Sequence, residues 1–189
     1  MATNPIETKT SKNIDFDTDA MLALTEREVL VGIPEDETER KNTDGSDQPM
    51  TNAAIAYIQD NGAPEKNIPA REFMRPGIEE AKEAIIRQLD RAARAAMRGN
   101  LEGVEKGFNG AGIAASRGIR NHIKEGIPPP LSERTLKARA ARGRTGAVLE
   151  LDARANGEEP GIEFATPLMD TGEMLQSIKH VVRNVSDRK

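Results

Sequence analysis

Residues 75–130, "RPGIEEAKEAIIRQLDRAARAAMRGNLEGVEKGFNGAGIAASRGIRNHIKEGIPPP", form the longest amphipathic part of the sequence. Apolar residues recur in both of its halves with the 3.6-residue period of a helix. The first half predicts a helix from Pro76 to about residue 98, because proline is tolerated in a first helical turn. Gly99 and Asn100 separate it from a second helix that ends at Gly126 and the prolines after it. We therefore expect two long helices in succession.

Each predicted helix has one apolar face. In the first helix this face consists of Ile78, Ala81, Ile85, Leu89, Ala92 and Ala96. In the second it consists of Val104, Phe108, Ala111, Ala115, Ile119 and Ile123. The second helix also contains glycines at positions 103, 107, 110, 112 and 118, each of which lowers intrinsic helix stability by up to ~1 kcal/mol. Such small residues allow close backbone approach, so we expect tight packing against the first helix or against a neighbouring subunit.

The first helix has an arginine stripe on its opposite face. Its members, within roughly 60° of one another at 100° per residue, are Arg87, Arg91, Arg94 and Arg98. One interpretation is a solvated face, and the other is a contact with phosphates or with an acidic neighbour. A second basic segment follows, where Ser132 is expected to cap a short helix that turns Leu136 inward.

The remaining elements predict an α+β fold, with a small antiparallel or mixed sheet packed against the two long helices. Strands are predicted at 28–33, at 161–166 and at 177–185, and a short helix at 52–60 with Tyr57 on its apolar side. Residues 1–25 are expected to form a flexible N-terminal extension, 26–185 a single domain, and 186–189 a tail. Long loops are predicted at 35–50 and 143–160. The core is small for this length, which favours burial in an oligomer.

Composition excludes several kinds of site. Cysteine is absent, which removes disulfides, thiol catalysis and zinc thiolate sites. Aromatic residues make up 3% of the chain, too few for a base-stacking platform. His122 and His180 lack a metal-ligand spacing, so no metal or cofactor is expected, and no apolar run suggests a membrane partner.

The net charge of −4 hides an asymmetry between two parts of the chain. Residues 15–50 contain eleven acidic and three basic residues, a net charge of −8, whereas residues 82–144 contain six acidic and fourteen basic residues, a net charge of +8. Such a division suits self-assembly, or a surface that meets a polyanion on one side.

The tripeptide Asp170-Thr171-Gly172 spells the sequence that carries the catalytic aspartate of aspartic proteases. Two carboxylates must share one proton there, so this chain would have to dimerise to build the site. The following apolar residues have helical rather than strand spacing, and Glu173 lies three positions after Asp170, as in a capping box. The stretch therefore favours a structural helix cap over a dimeric aspartic protease that uses Asp170.

Three segments resemble a known family. They are "NAAIAYIQDNGAPEKNIPAREFMRP" (52–76), "PPPLSERTLKAR" (128–139) and "PLMDTGEMLQSI" (167–178). Together and in this order they are similar to the virion-morphogenesis, or putative tail-component, family of tailed bacteriophages. The resemblance covers residues 29–185, although the first 25 residues match nothing in the family and the stretch 143–166 is longer than its pattern.

The resemblance implies a non-enzymatic structural protein of the virion, assembled in the host cytoplasm, at the junction between head and tail. Such proteins form rings, often hexameric, around the DNA channel of the neck. The implied partners are other copies, the tail terminator or tail-tube protein, the head-completion or portal assembly, and the genomic DNA. A tail-terminator role is an alternative to joining or completing the tail.

The resemblance also suggests where contacts lie. The expected intersubunit clasp consists of Arg71, Phe73, Met74 and Arg75, although Phe73 and Met74 could equally fill the core while the arginines are solvated. The candidate contacts to the DNA channel or to acidic partners are Arg87, Arg91, Arg94, Arg98, Arg134, Lys137, Arg139, Arg142 and Arg144.

Overall fold

The computed structural model describes residues 18–34 and 50–187. Within them it is an α+β protein, with eight α-helices and one two-stranded sheet. The helices are α1 Thr18–Glu26, α2 Asn52–Asn61, α3 Met74–Glu80, α4 Lys82–Ala96, α5 Leu101–Glu125, α6 Glu133–Ala141, α7 Thr145–Ala155 and α8 Glu173–Gln176. The strands are β1 Arg27–Gly32 and β2 Lys179–Asn184.

The sheet joins the beginning of the described chain to its end. β1 and β2 pair antiparallel, with Arg27 opposite Asn184 and Gly32 opposite Lys179. The predicted pairing of the first and last strands is therefore confirmed. Val29 and Val182 pack inward against α1, α4 and α5, and the Glu28 carboxylate bonds to Arg183 across the strands at 2.9 Å.

Helix α5 is the centre of the molecule. Its predicted apolar face is buried along its whole length, from Val104 to Ile123. Ile119 and Ile123 pack with Phe73 and Ile178 in the largest core cluster, while Val104 and Phe108 belong to a second cluster. The length and the inward face of this helix follow the sequence prediction.

Glycines let α5 approach its neighbours closely, as expected. A Cβ atom added at Gly107 would lie 2.8 Å from the Ala92 backbone, and one at Gly118 would lie 2.3 Å from the carbonyl oxygen of Gly77. On another face of α5, a Cβ at Gly112 would lie 2.3 Å from the His180 ring on β2.

The first predicted long helix is wrong as a single helix. It is broken at Ala81 into α3 and α4, and Ala81 has φ −83° and ψ −3° instead of regular helical angles. The break lies four residues after Gly77, where α3 closely approaches the backbone of α5. Helix α3 also begins two residues before Pro76, which still lies in its first turn.

Part of the predicted N-terminal extension is also wrong. Residues 18–26 form α1, whose Ala20 and Ala23 are buried against Ala92 and Ala96 of α4. Two alanines three positions apart give a weak sequence signal, but they suit a helix that packs closely on another alanine-rich helix. Residues 1–17 and the acidic stretch 35–49 lie outside the described residues.

Two predictions near the C-terminal end are wrong as well. The loop expected at 143–160 contains α7, which buries Ala147 and Glu150. Glycines on both sides of this helix mask its periodicity in the sequence. Residues 161–166 form no strand, since no neighbouring strand is available to pair with them among the described residues. In α2, Ala56 is buried and Tyr57 is 70% exposed, so the predicted apolar side of that helix is wrong in part.

Candidate functional site

Four arginines line a cleft of about 930 Å³, here called the arginine cleft. Its walls come from α2, residues 67–71, residues 130–144 and residues 168–174. The four arginines are Arg71, Arg139, Arg142 and Arg144, and the acidic lining residues are Asp170 and Glu173. The lining therefore has four positive and two negative charges.

Arg71 is held in one wall by backbone carbonyls. Its side chain is only 6% exposed, and its Nη2 and Nε atoms donate to the Pro129 carbonyl oxygen at 2.8 and 3.2 Å. Proline has no N–H, so a run of prolines cannot form regular backbone pairs, and an arginine fork satisfies the free carbonyl instead. The segment before α3 is fixed by Asp60, whose Oδ1 accepts hydrogen bonds from the Phe73 and Met74 amides.

Arg139 likewise donates to backbone carbonyls in the opposite wall of the cleft. It follows Leu136 by three positions in α6, so it points toward the same buried face. Its Nη1 donates to the carbonyl oxygens of Thr166 and Met169, at 3.1 and 3.0 Å. These two bonds bracket Leu168, whose φ of +63° is a costly backbone conformation for a residue with a Cβ. Arg139 therefore helps to hold a strained turn at the edge of the cleft.

Asp170 does not cap a helix, so that prediction is wrong. Its Oδ2 accepts from Arg142 Nη2 at 2.7 Å, and its Oδ1 accepts from Arg144 Nε at 2.9 Å. Gly172, with φ +81°, occupies the position before α8 and turns the chain too sharply for a capping box from Asp170 to Glu173. Instead, the Thr171 hydroxyl accepts from the Glu173 amide at 3.3 Å, and α8 is a single turn.

The electrostatics of the cleft reflect crowded positive charge. Burial, together with the charge of Arg139, lowers the pKa of Arg71 below its ordinary value. Burial also lowers the pKa of Arg139; Asp170 opposes this shift, while Arg142 and Arg144 add to it. An anion in the cleft would therefore be attracted by groups that have too few negative partners.

The predicted clasp residues do not form one outward surface. Phe73 is fully buried and Met74 is partly buried against the same core cluster, so both fill the core of this chain. Arg71 belongs to the cleft wall. Only Arg75 has an exposed side chain, and it pairs with Glu72 at 3.1 Å.

The arginine stripe of α4 is exposed and largely paired within its own helix. Arg87 lies 3.6 Å from Glu83 and Arg94 lies 2.8 Å from Asp90, while Arg91 bonds to Gln88 at 3.4 Å. Arg98, Arg134 and Lys137 are exposed as well. Among the sequence candidates, the structure thus brings Arg71, Arg139, Arg142 and Arg144 together and leaves the stripe on a separate solvated helix face.

Among residues 18–34 and 50–187, one group of side chains could hold a metal ion. Glu80 at the end of α3 and His122 and Glu125 in the last turn of α5 each place one ligand atom within 4.8 Å of the others. The His122 Nδ1 atom already lies 2.7 Å from Glu80 Oε1. This group was not predicted, because Glu80 lies 42 positions before His122 in the sequence. The spacing of His122 and Glu125 does place those two residues on one helix face.

Comparisons with known proteins do not identify a relative: no family model, curated protein or solved structure matches the chain. Over residues 18–34 and 50–187, none of the helices has the length and apolar character needed to span a membrane.

Proposed function

We propose that this chain is a structural subunit of the head–tail junction of a tailed bacteriophage, where it forms a ring that joins or completes the tail around the DNA channel. One observation supports this function above the others. The three segments that resemble the phage family are far apart in sequence, yet all of them contribute walls to the arginine cleft.

Each segment contributes a different kind of wall. The first supplies Arg71 beside α2, the second supplies Pro130, Leu131 and the start of α6, and the third supplies residues 168–174 with Asp170. Sequence motifs that converge on one concave surface are expected to serve that surface together. A partner-binding surface is what a subunit of a ring and a joint between two assemblies requires.

The dimeric protease is the weaker alternative. Both carboxylate oxygens of Asp170 are engaged by guanidinium groups, whereas catalysis would need this carboxylate to share a proton with a second one. An Asp170→Asn variant should therefore leave virion proteins processed normally. Loss of proteolytic processing with the fold retained would instead support the protease.

Several further parts of the proposal follow from the phage resemblance. The proposed assembly is a homo-oligomeric, hexameric ring in the neck of the virion. Its proposed partners are a tail terminator or tail-tube protein on one side and a head-completion or portal assembly on the other. The acidic segment 15–50 and the basic segment 82–144 suit such an arrangement, since opposite charges on adjacent surfaces favour association.

Electron microscopy of lysates tests the proposed function. In a phage with this gene disrupted, we expect DNA-filled heads beside unattached tails of normal length. Overlong tails would point to the tail-terminator role. Immature, unprocessed heads would contradict the joining function and favour the protease.

A further inference from the structure

The arginine cleft has more positive charge than its own acidic residues neutralise. Arg142 and Arg144 both pair with the single carboxylate of Asp170. Arg71 and Arg139, both more than nine-tenths buried, have only backbone carbonyls as hydrogen-bond partners within the described part of the chain. A buried guanidinium without a carboxylate is costly, and an incoming anion would reduce that cost.

The two outer arginines are able to exchange partners. The Arg142 and Arg144 side chains are 58% and 43% exposed, so they can turn from Asp170 toward a ligand without unpacking the core. An arginine fork binds a carboxylate through two parallel hydrogen bonds, which gives both affinity and orientation.

The shape of the cleft favours a peptide over duplex DNA. The site is concave, and its lining includes the apolar side chains of Ile68, Leu131 and Leu168 among the arginines. A DNA duplex is convex and would present phosphates only to the rim, while an extended peptide can enter and use both the apolar and the charged lining. Clusters of arginines are a recurrent way of recognising acidic peptide motifs.

We propose that the arginine cleft binds an acidic peptide segment of a neighbouring protein, and that Asp170 occupies a carboxylate position until this segment binds. The inference rests on the proposed function, since it identifies the kind of contact through which the junction subunit holds its partner. The incoming carboxylates take over Arg142 and Arg144, and Asp170 competes with them for the same guanidinium groups.

Isothermal titration of the tag-free chain with a hexaglutamate peptide tests this proposal. We expect saturable binding that weakens as ionic strength rises, because part of the attraction is screened. An Arg142→Gln/Arg144→Gln variant should weaken binding about tenfold. An Arg87→Gln/Arg91→Gln variant removes the same charge from the exposed stripe and should bind like the parent chain. Circular dichroism verifies that both variants are folded.

Asp170→Asn supplies the sharper test, since it removes the competitor and keeps the side-chain size. Peptide binding should become about twofold to fivefold tighter, the range expected for releasing exposed ion pairs. Unchanged or weaker binding would overturn the competitive role of Asp170. Equal losses in the two double-arginine variants, no binding, or tighter binding of a short DNA duplex than of the peptide would overturn the peptide site.

These outcomes are separable from the lysate experiment. Unattached heads and tails without peptide binding would remove this inference and leave the proposed function supported. Peptide binding together with immature heads would contradict the proposed function and leave the cleft as an acidic-peptide site of another kind of protein.

Discussion

The helices α3, α4 and α5 and the walls of the arginine cleft are held together by different contacts. The helices pack through alanines, glycines and a continuous apolar face, so that backbones touch at Gly77, Gly107 and Gly118. The cleft walls combine parts of α2 and α6 with irregular segments, and carbonyls of those irregular segments accept hydrogen bonds from the buried Arg71 and Arg139. The partly buried Arg120 of α5 also donates to backbone carbonyls, to that of Leu175 at 3.3 Å and to that of Ile178.

The packed helices therefore contribute mainly to stability, and the arginine cleft is suited to recognition. Small apolar contacts are strong only when the fit is close, so the helices should tolerate few changes. The buried guanidinium groups of Arg71 and Arg139 hold irregular backbone in place, while Arg142 and Arg144 remain exposed in the same cleft. The cleft can therefore exchange polar partners, which a close-packed helix interface cannot do.

The largest expected effect comes from the core that both regions share. Phe73→Ala should lower the free energy of unfolding by about 3–5 kcal/mol, because Phe73 is fully buried against α5. Urea denaturation measures the loss. Tyr57→Ala removes an aromatic ring that is 70% exposed and serves as the control; a similar loss there would show that the cluster around Phe73 is not the dominant core.

A smaller effect is expected at the close helix contacts. Gly107→Ala should destabilise the chain by about 1–3 kcal/mol, because its new Cβ would meet the Ala92 backbone at 2.8 Å. Gly110→Ala is the matched control in the same helix. Its new Cβ would meet only the end of the flexible Gln88 side chain, and removing a helical glycine gains up to ~1 kcal/mol. Thermal unfolding of both variants should therefore shift in opposite directions, and equal shifts would refute the close-contact account.

Each buried arginine that bonds to backbone carbonyls should contribute about as much to the free energy of unfolding as a buried hydrogen bond does. Arg71→Met keeps much of the side-chain volume but leaves the Pro129 carbonyl without its donors, at an expected cost of about 1–3 kcal/mol. Arg75→Met, at a position whose side chain is 87% exposed, should change stability by less than about 0.5 kcal/mol. Chemical denaturation of the two variants measures the difference. Equal free energies of unfolding would mean that the hydrogen bonds of Arg71 do not stabilise the fold.

The smallest effect is expected from the arginine stripe. The Arg87→Gln/Arg91→Gln variant loses an exposed ion pair and an exposed hydrogen bond within α4, so the free energy of unfolding should change by less than about 1 kcal/mol. A larger loss in thermal denaturation would show that the stripe supports the fold, contrary to its exposed position.

Sequence periodicity predicts the helices better than the cleft. The apolar face of α5 repeats from Val104 to Ile123, and the Ser132 cap before α6 is a local signal, so both could be predicted. The break at Ala81 could not, because alanine is a good helix former and gives no local signal of a helix boundary. The tripeptide at Asp170 suggested a cap because the pattern is local, whereas its partners Arg142 and Arg144 are 26 or more positions away.

The sequence also does not show which arginines line the cleft and which belong to the exposed stripe. Arg87 and Arg139 occupy helices with similar composition, but only Arg139 faces a segment with unpaired carbonyls. That segment forms no strand, so its need for donors appears only in three dimensions. The prolines at 128–130 lack amide groups, which leaves their carbonyls without regular partners, but nothing local in the sequence indicates that Arg71, 58 positions away, bonds to one of them.

We propose that the arginine cleft, and not the arginine stripe, makes the contact that joins head to tail. The most direct test is complementation of a phage in which this gene is disrupted, with electron microscopy and plaque counts as the measurements. The Arg87→Gln/Arg91→Gln chain should restore complete virions, and the Arg142→Gln/Arg144→Gln chain, expressed and folded, should leave filled heads beside unattached tails. Full restoration by the cleft variant would contradict the account.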